Sequence, residues 1–218
     1  MTLRLVASDL APVWRATTGT ADDDRVTECL VGDPVMTTGV EQEGRAEVVV
    51  PWQPSSLDAA GYPGWVSVSD LGPAAGDTPP LAVPDDTFPA GIDDPVDLAR
   101  TLLGTPYVWG GLSARGIDCS GLVHLVHRWL GRVVPRDARD QAAALASVPV
   151  DEVRRGDLYF FARPERPVHH VALVVEPGVI VHASYPDGGV VEAPLADSGR
   201  SASLVTAGRV NPGPTMTR

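Results

Sequence analysis

Hydrophobic and polar positions change period twice along the chain. Over residues 1–71, short β-type runs such as 46–50 and 65–68 are separated by Gly, Asp and Pro; that pattern predicts a small β-barrel of short strands. Residues 72–93 hold five Pro and three Gly with no apolar periodicity, which reads as an extended linker. Residues 94–218 open with helical signals: Asp94 as an N-cap before Pro95 with a stop near Gly104, a second helix over 119–130 halted by Gly131, and a third over about 137–146. The period then shortens to strands at 157–161, 169–175, 179–183, 190–193 and 204–210. Helices followed by an antiparallel sheet make this half α+β.

Composition narrows the function classes. The chain has 218 residues, 44% of them hydrophobic, enough for one large domain or two small ones. Its net charge of −11 and lack of a basic stripe argue against nucleic-acid binding. No apolar run approaches the roughly 18 residues of a membrane span. Only Cys29 and Cys119 are present, far apart and in unlike surroundings, so no disulfide framework is expected. The first 13 residues contain Arg4 and Asp9 and no unbroken apolar stretch; read as the true start, they predict a cytoplasmic protein, whereas a longer reading frame with a signal would favour export.

Cys119 opens the second predicted helix, where unpaired N–H groups and the helix dipole favour a thiolate. A free cysteine is equally often a small buried hydrophobe, so its place alone leaves both readings open. A nucleophile needs a base, and the base an orienting group. His124 and His127 lie too far along the same helix to reach the thiol and are expected at its surface or half-buried. Their spacing fits no common zinc pattern, so neither metal nor cofactor is expected. His169 and His170 point to opposite faces of one strand. If Glu176, Pro177 and Gly178 close a three-residue hairpin loop, Ala172 faces His182 and His170 becomes its diagonal neighbour. That parity favours a His170 and His182 pair.

The strings YVWGG at 107–111, DCSGL at 118–122, PRDARDQ at 135–141, GDLYFF at 156–161, HVALV at 170–174 and VHA at 181–183 together resemble the NlpC/P60 cysteine peptidases. The resemblance implies a papain-like α+β fold with Cys119 as nucleophile, His170 as base and His182 as its orienting partner. It also implies that the Tyr107 hydroxyl and the Cys119 backbone N–H hold the oxyanion; Trp109 is expected to serve packing. In the first module, GYPGWVSVSDL at 61–71 and TECLVGDPV at 27–35 resemble bacterial SH3-like domains.

This module order is similar to that of γ-D-glutamyl-L-diamino acid endopeptidases, which cleave peptidoglycan stem peptides bearing a free N-terminal L-Ala. That likeness implies an acidic pocket for the ammonium built from Asp118, Ser120 and Tyr62, with Glu28 completing it; Asp118 reads equally as a helix cap. Whether the diamino acid is diaminopimelate or lysine is left open, as is a gating role for the basic loop over 163–166. Two other readings stand beside this one: an exported hydrolase of intact peptidoglycan, and a catalytically silent wall-peptide-binding module whose Cys119 would be protonated or buried.

Overall fold

The computed structural model describes residues 1–20, 24–74, 89 and 91–211. Most of the expected linker lies outside them. The first module is all-β: β1 (Thr2–Val6), β2 (Leu10–Trp14), β3 (Arg25–Leu30), β4 (Pro34–Gln42), β5 (Arg45–Val50), β6 (Tyr62–Ser67) and β7 (Leu71–Pro73). They pair antiparallel in one sheet of order β3-β2-β6-β5-β4-β1-β7. Gly64 of β6 lets that strand cross β2 closely, since a Cβ there would lie 2.5 Å from a Val13 methyl.

The second half begins with α1 (Pro95–Arg100), capped by Asp94, whose carboxylate accepts from the N–H groups of Val96 and Asp97, both at 3.0 Å. Then come the small hairpin β8 (Leu112–Ser113) and β9 (Gly116–Ile117), α2 (Cys119–Trp129), α3 (Ala138–Ala144) and β10 (Ala146–Val148). The remaining strands are β11 (Leu158–Phe161), β12 (His170–Glu176), β13 (Val179–Ser184), β14 (Gly189–Pro194) and β15 (Leu204–Arg209). They form an antiparallel sheet of order β10-β15-β11-β12-β13-β14. This is the expected α+β order of helices before sheet. β10 and the small hairpin were not anticipated, being only two or three residues per strand.

One apolar core runs through both modules, from Val13, Val48 and Trp52 to Leu122, Val126, Phe160 and Leu173. Its continuity corrects one expectation. α2 is buried along its whole length, so His124 and His127 are not surface residues but 1% exposed. The face that the sequence leaves polar is covered by the first module. There the Trp52 ring packs on His124 and the Arg128 guanidinium lies 3.6 Å over Trp52 while pairing with the buried Asp33.

Candidate active site

Close backbone approach explains the glycines of the WGG and DCSGL strings. A Cβ on Gly121, in the first turn of α2, would collide with the Gly111 carbonyl oxygen, so only glycine lets the helix end seat against the loop carrying Tyr107. Asp118 is the N-cap of α2 and the hub of this corner. One oxygen accepts from the Gly121 N–H at 2.6 Å and the Ser120 hydroxyl at 3.2 Å; the other accepts from the Gly110 N–H at 2.9 Å. The buried Arg136 adds a bidentate pair to both oxygens at 3.0 and 2.8 Å. Arg136 also donates to the Ser120 hydroxyl, to the Gly111 carbonyl and to Thr27 of β3. Asp118 and Ser120, expected in an ammonium pocket, thus have their hydrogen-bonding capacity committed to this framework.

Cys119 sits at the tip of α2 where it meets the start of β12, and the Val171 and Ser120 N–H groups lie within hydrogen-bonding reach of its sulfur. The tip was expected to make the sulfur anionic. Burial prevails instead, with Asp118 adding to it, and the thiol pKa is pushed up to about 12. The magnitudes explain the reversal: a helix terminus contributes at most about 2 kcal/mol, whereas an effective desolvation penalty of several kcal/mol attends an uncompensated buried charge. His170 is pushed well below the usual imidazole range by burial, then by Arg200, His182 and His169. The resting pair is therefore a neutral thiol and a neutral imidazole.

The two imidazoles do line up. His170 Nε2 lies 2.8 Å from His182 Nδ1, with the rings near perpendicular at 81°. His170 is 3% exposed and His182 fully buried, while His169 faces solvent. The hairpin differs in detail from the three-residue loop: Pro177 and Gly178 form the turn between Glu176 and Val179, and a bulge at Val175 absorbs the remaining residue. Beyond the bulge the register is the one inferred, with Leu173 opposite Val181. Because His182 occupies His170 Nε2, the nitrogen left for chemistry on His170 is Nδ1. With His182 Nδ1 accepting, its proton resides on Nε2, which is buried without a partner among the described residues.

Tyr107 is half-buried near Cys119; burial raises its phenol pKa, and the thiolate form of Cys119 would add to that rise. It therefore stays a hydrogen-bond donor at neutral pH. Trp109, expected to pack, is instead 51% exposed, held by its carbonyl, which accepts from Arg25 at 3.1 Å.

Three groups from the first module and α3 border the same corner. Glu28 is 2% exposed, accepts from the Leu112 N–H at 2.9 Å and from Arg25 at 3.0 Å, and burial raises its pKa. The Tyr62 hydroxyl donates to Asp137 at 3.1 Å. Asp137 was not singled out from the sequence. Its place beside Arg136 in the PRDARDQ string was the available signal. Its pKa too is raised by burial, and Tyr62 is its sole side-chain partner among the described residues.

Among the described residues no His, Cys, Asp or Glu cluster could hold a metal ion, and no helix is long and apolar enough to cross a membrane.

The chain is similar to known proteins in sequence and in fold. A model of the NlpC/P60 family matches residues 104–209. A γ-D-glutamyl-L-lysine dipeptidyl-peptidase of Bacillus subtilis is 32% identical over 212 residues, covering 72% of this chain and 71% of that protein. The peptidoglycan endopeptidase RipB of Mycobacterium tuberculosis is 31% identical over 140 residues, covering 58% of this chain and 57% of its own. A crystal structure of an NlpC/P60 family protein from Bacillus cereus superposes with a TM-score of 0.80 at 21% identity, covering 95% of this chain and 99% of that one, so the two modules share that protein's fold. With a buried Cys119 at a helix tip and paired histidines on the adjoining sheet, the chain belongs to the NlpC/P60 family of cysteine peptidases.

Proposed function

We propose that this enzyme hydrolyses the γ-D-glutamyl to diamino acid bond of peptidoglycan stem peptides whose N-terminal L-Ala is free. The observation that carries this reading is the burial of Glu28, a carboxylate of the first module that accepts from Leu112 in the segment after Tyr107 and borders the Asp118 and Arg136 corner, as the Tyr62 and Asp137 pair also does. A buried carboxylate with remaining lone pairs is a specific acceptor for an ammonium and a poor neighbour for an acylated nitrogen. The first module, read as SH3-like, thereby closes one end of the cleft. Because Asp118 is saturated by Arg136 and three other donors, Glu28 and Asp137 are the acceptors in this reading.

The chemistry follows from a neutral pair. As Cys119 Sγ attacks the γ-carbonyl carbon, its proton passes to His170 Nδ1, and the Tyr107 hydroxyl and the Cys119 N–H donate to the developing oxyanion. The Nε2–H of the resulting imidazolium donates to His182 Nδ1 at the 2.8 Å separation. His170 then gives its proton to the departing amine, the C–N bond breaks, and a thioester remains on Cys119. A water deprotonated by His170 attacks that thioester, releasing the dipeptide acid and restoring the thiol. The reading favours released muropeptides in the cytoplasm as substrates; cell fractionation checks that part.

The test is hydrolysis of L-Ala-γ-D-Glu-L-Lys and its diaminopimelate counterpart, each with a free or acetylated amine. Turnover of the free-amine peptides, lost on acetylation and in Cys119→Ala, is expected. Equal rates on acetylated peptide would remove the ammonium pocket from the mechanism.

A further inference from the structure

The catalytic histidines face a positive charge that the proposed mechanism does not use. Arg200 lies in the segment between β14 and β15, next to the short helical turn Ser201–Ser203. Its backbone is fixed on both sides. Its N–H donates to the Ser198 hydroxyl at 3.2 Å, and its carbonyl accepts from both the N–H and the hydroxyl of Ser203 at 2.9 Å. The Ser203 carbonyl in turn accepts from the Ala162 N–H at 2.9 Å, tying the segment to the end of β11 beside the start of β12. That is the end of the sheet carrying His170.

The side chain is half-buried, and its guanidinium has no hydrogen-bond or ion-pair partner among the described residues. Its charge bears on Tyr107, His169, His170 and His182. The acid that acts on His182, Asp187, already accepts from the Ser184 hydroxyl. A half-buried arginine on a segment tied beside the strand end that carries His170, with no counterion among those residues, makes the catalytic base weaker. Such an arrangement is compensated when an anion arrives.

The placement of the acidic groups relative to the histidines says which anion. The carboxylates Glu28 and Asp137 border the corner formed by the first module, the Tyr107 loop and α3, the side proposed to hold the acyl half of the substrate. His170 must protonate the departing nitrogen, so the departing half lies on the histidine side, where Arg200 stands.

We infer that Arg200 binds a carboxylate of the diamino acid released in the first step. This rests on the γ-D-glutamyl peptidase reading and adds to it: the enzyme takes stem peptides whose diamino acid carries a free carboxylate, either its α-carboxylate at a chain end or one on its side chain. In a chain of net charge −11, a cation at this rim also offsets the repulsion of an anionic peptide. A planar, bidentate donor suits the task, and a lysine would fill it only in part.

Three peptides with a free L-Ala amine separate the sources: L-Ala-γ-D-Glu-L-Lys as the acid, the same peptide as its C-terminal amide, and L-Ala-γ-D-Glu-diaminopimelate amidated at the α-carboxyl. All three keep the D-Glu carboxylate. Arg200→Gln should lower kcat/KM by about 10- to 100-fold, the range of one charge-assisted hydrogen-bonded contact. The loss should arise mainly in KM and fall on whichever peptide presents the engaged carboxylate, with Arg200→Lys recovering part of it. The lysine amide, which presents neither carboxylate, gives the baseline change that removing the charge beside His170 brings to every peptide, and the loss on the other two is read relative to it. Loss confined to the lysine acid names the α-carboxylate as the source, and loss confined to the diaminopimelate peptide names the side-chain carboxylate. An equal loss on all three peptides, or none on any, overturns the inference. Failure of the wild-type enzyme to turn over any of the three peptides instead overturns the underlying peptidase reading, and the inference with it.

Discussion

Replacing Arg136 by methionine tests whether the buried ion pair with Asp118 holds the catalytic corner together. Arg136 is 1% exposed, and its guanidinium donates to both Asp118 oxygens, to the Ser120 hydroxyl, to the Gly111 carbonyl and to Thr27. Methionine keeps much of the stem packing and removes every donor. Deleting one partner of a buried pair costs about 3–5 kcal/mol, because the other charge is left uncompensated. The donors that remain on Asp118, from Gly110, Gly121 and Ser120, place the expected loss nearer about 3 kcal/mol. Loss of the Thr27 and Gly111 hydrogen bonds adds about 0.5–1.5 kcal/mol each. Urea unfolding followed by tryptophan fluorescence reads this directly. The double variant Arg136→Met with Asp118→Asn should be less destabilised than the two single effects added, since no stranded charge is left. A single-variant loss below about 1 kcal/mol, typical of a surface pair, would refute the argument; so would simple additivity.

Three further outcomes follow from the site. Because Cys119 rests as a thiol with its pKa near 12, its alkylation by iodoacetamide should keep accelerating up to about pH 9, and a plateau near pH 6 would show a preformed thiolate. His182→Ala should lower kcat by about 100-fold with little change in KM, within the range usual for acid–base assistance, and His182→Asn should restore part of it by returning an acceptor to His170 Nε2; unchanged kcat would exclude the orienting role. His124 and His127 are lowered to about 3 and His182 to about 4, all mainly by burial, and His170 is lowered as well. Below about pH 6.5 the unfolded chain binds protons that the folded chain refuses, so stability is full above that pH and declines as pH falls toward 4, by up to about 1.4 kcal/mol per pH unit for each histidine. Urea midpoints between pH 7 and 4.5 measure this, and His127→Leu should flatten the slope.

Most of the candidate site was legible because its residues fall in compact strings. The His170 and His182 pairing came from strand parity and turn position, and it survived a two-residue turn plus bulge because their combined length equals the loop assumed. Asp118 was readable as a cap from its place before Cys119. The charge state of Cys119 was not legible, since a helix terminus can be read from sequence whereas burial depends on what docks over it. His124 was misplaced for the same reason: α2 has apolar and polar positions like those of a surface helix, and nothing in its own residues announces that Trp52 of the other module packs on it. Arg136 and Asp137 lie in the PRDARDQ string, yet their partners Thr27 and Tyr62 are 109 and 75 residues away.

The seam between the modules also limits how such enzymes can be recombined. Thr27, Asp33 and Trp52 of the first half meet Arg136 and Arg128 of the second in buried polar matches, so a chimera cut cleanly at the linker would bring together surfaces whose charges no longer answer one another. Transplanting a foreign N-terminal half requires carrying those five positions as a set, and specificity engineering on this scaffold has to redraw the seam before it can redraw the cleft.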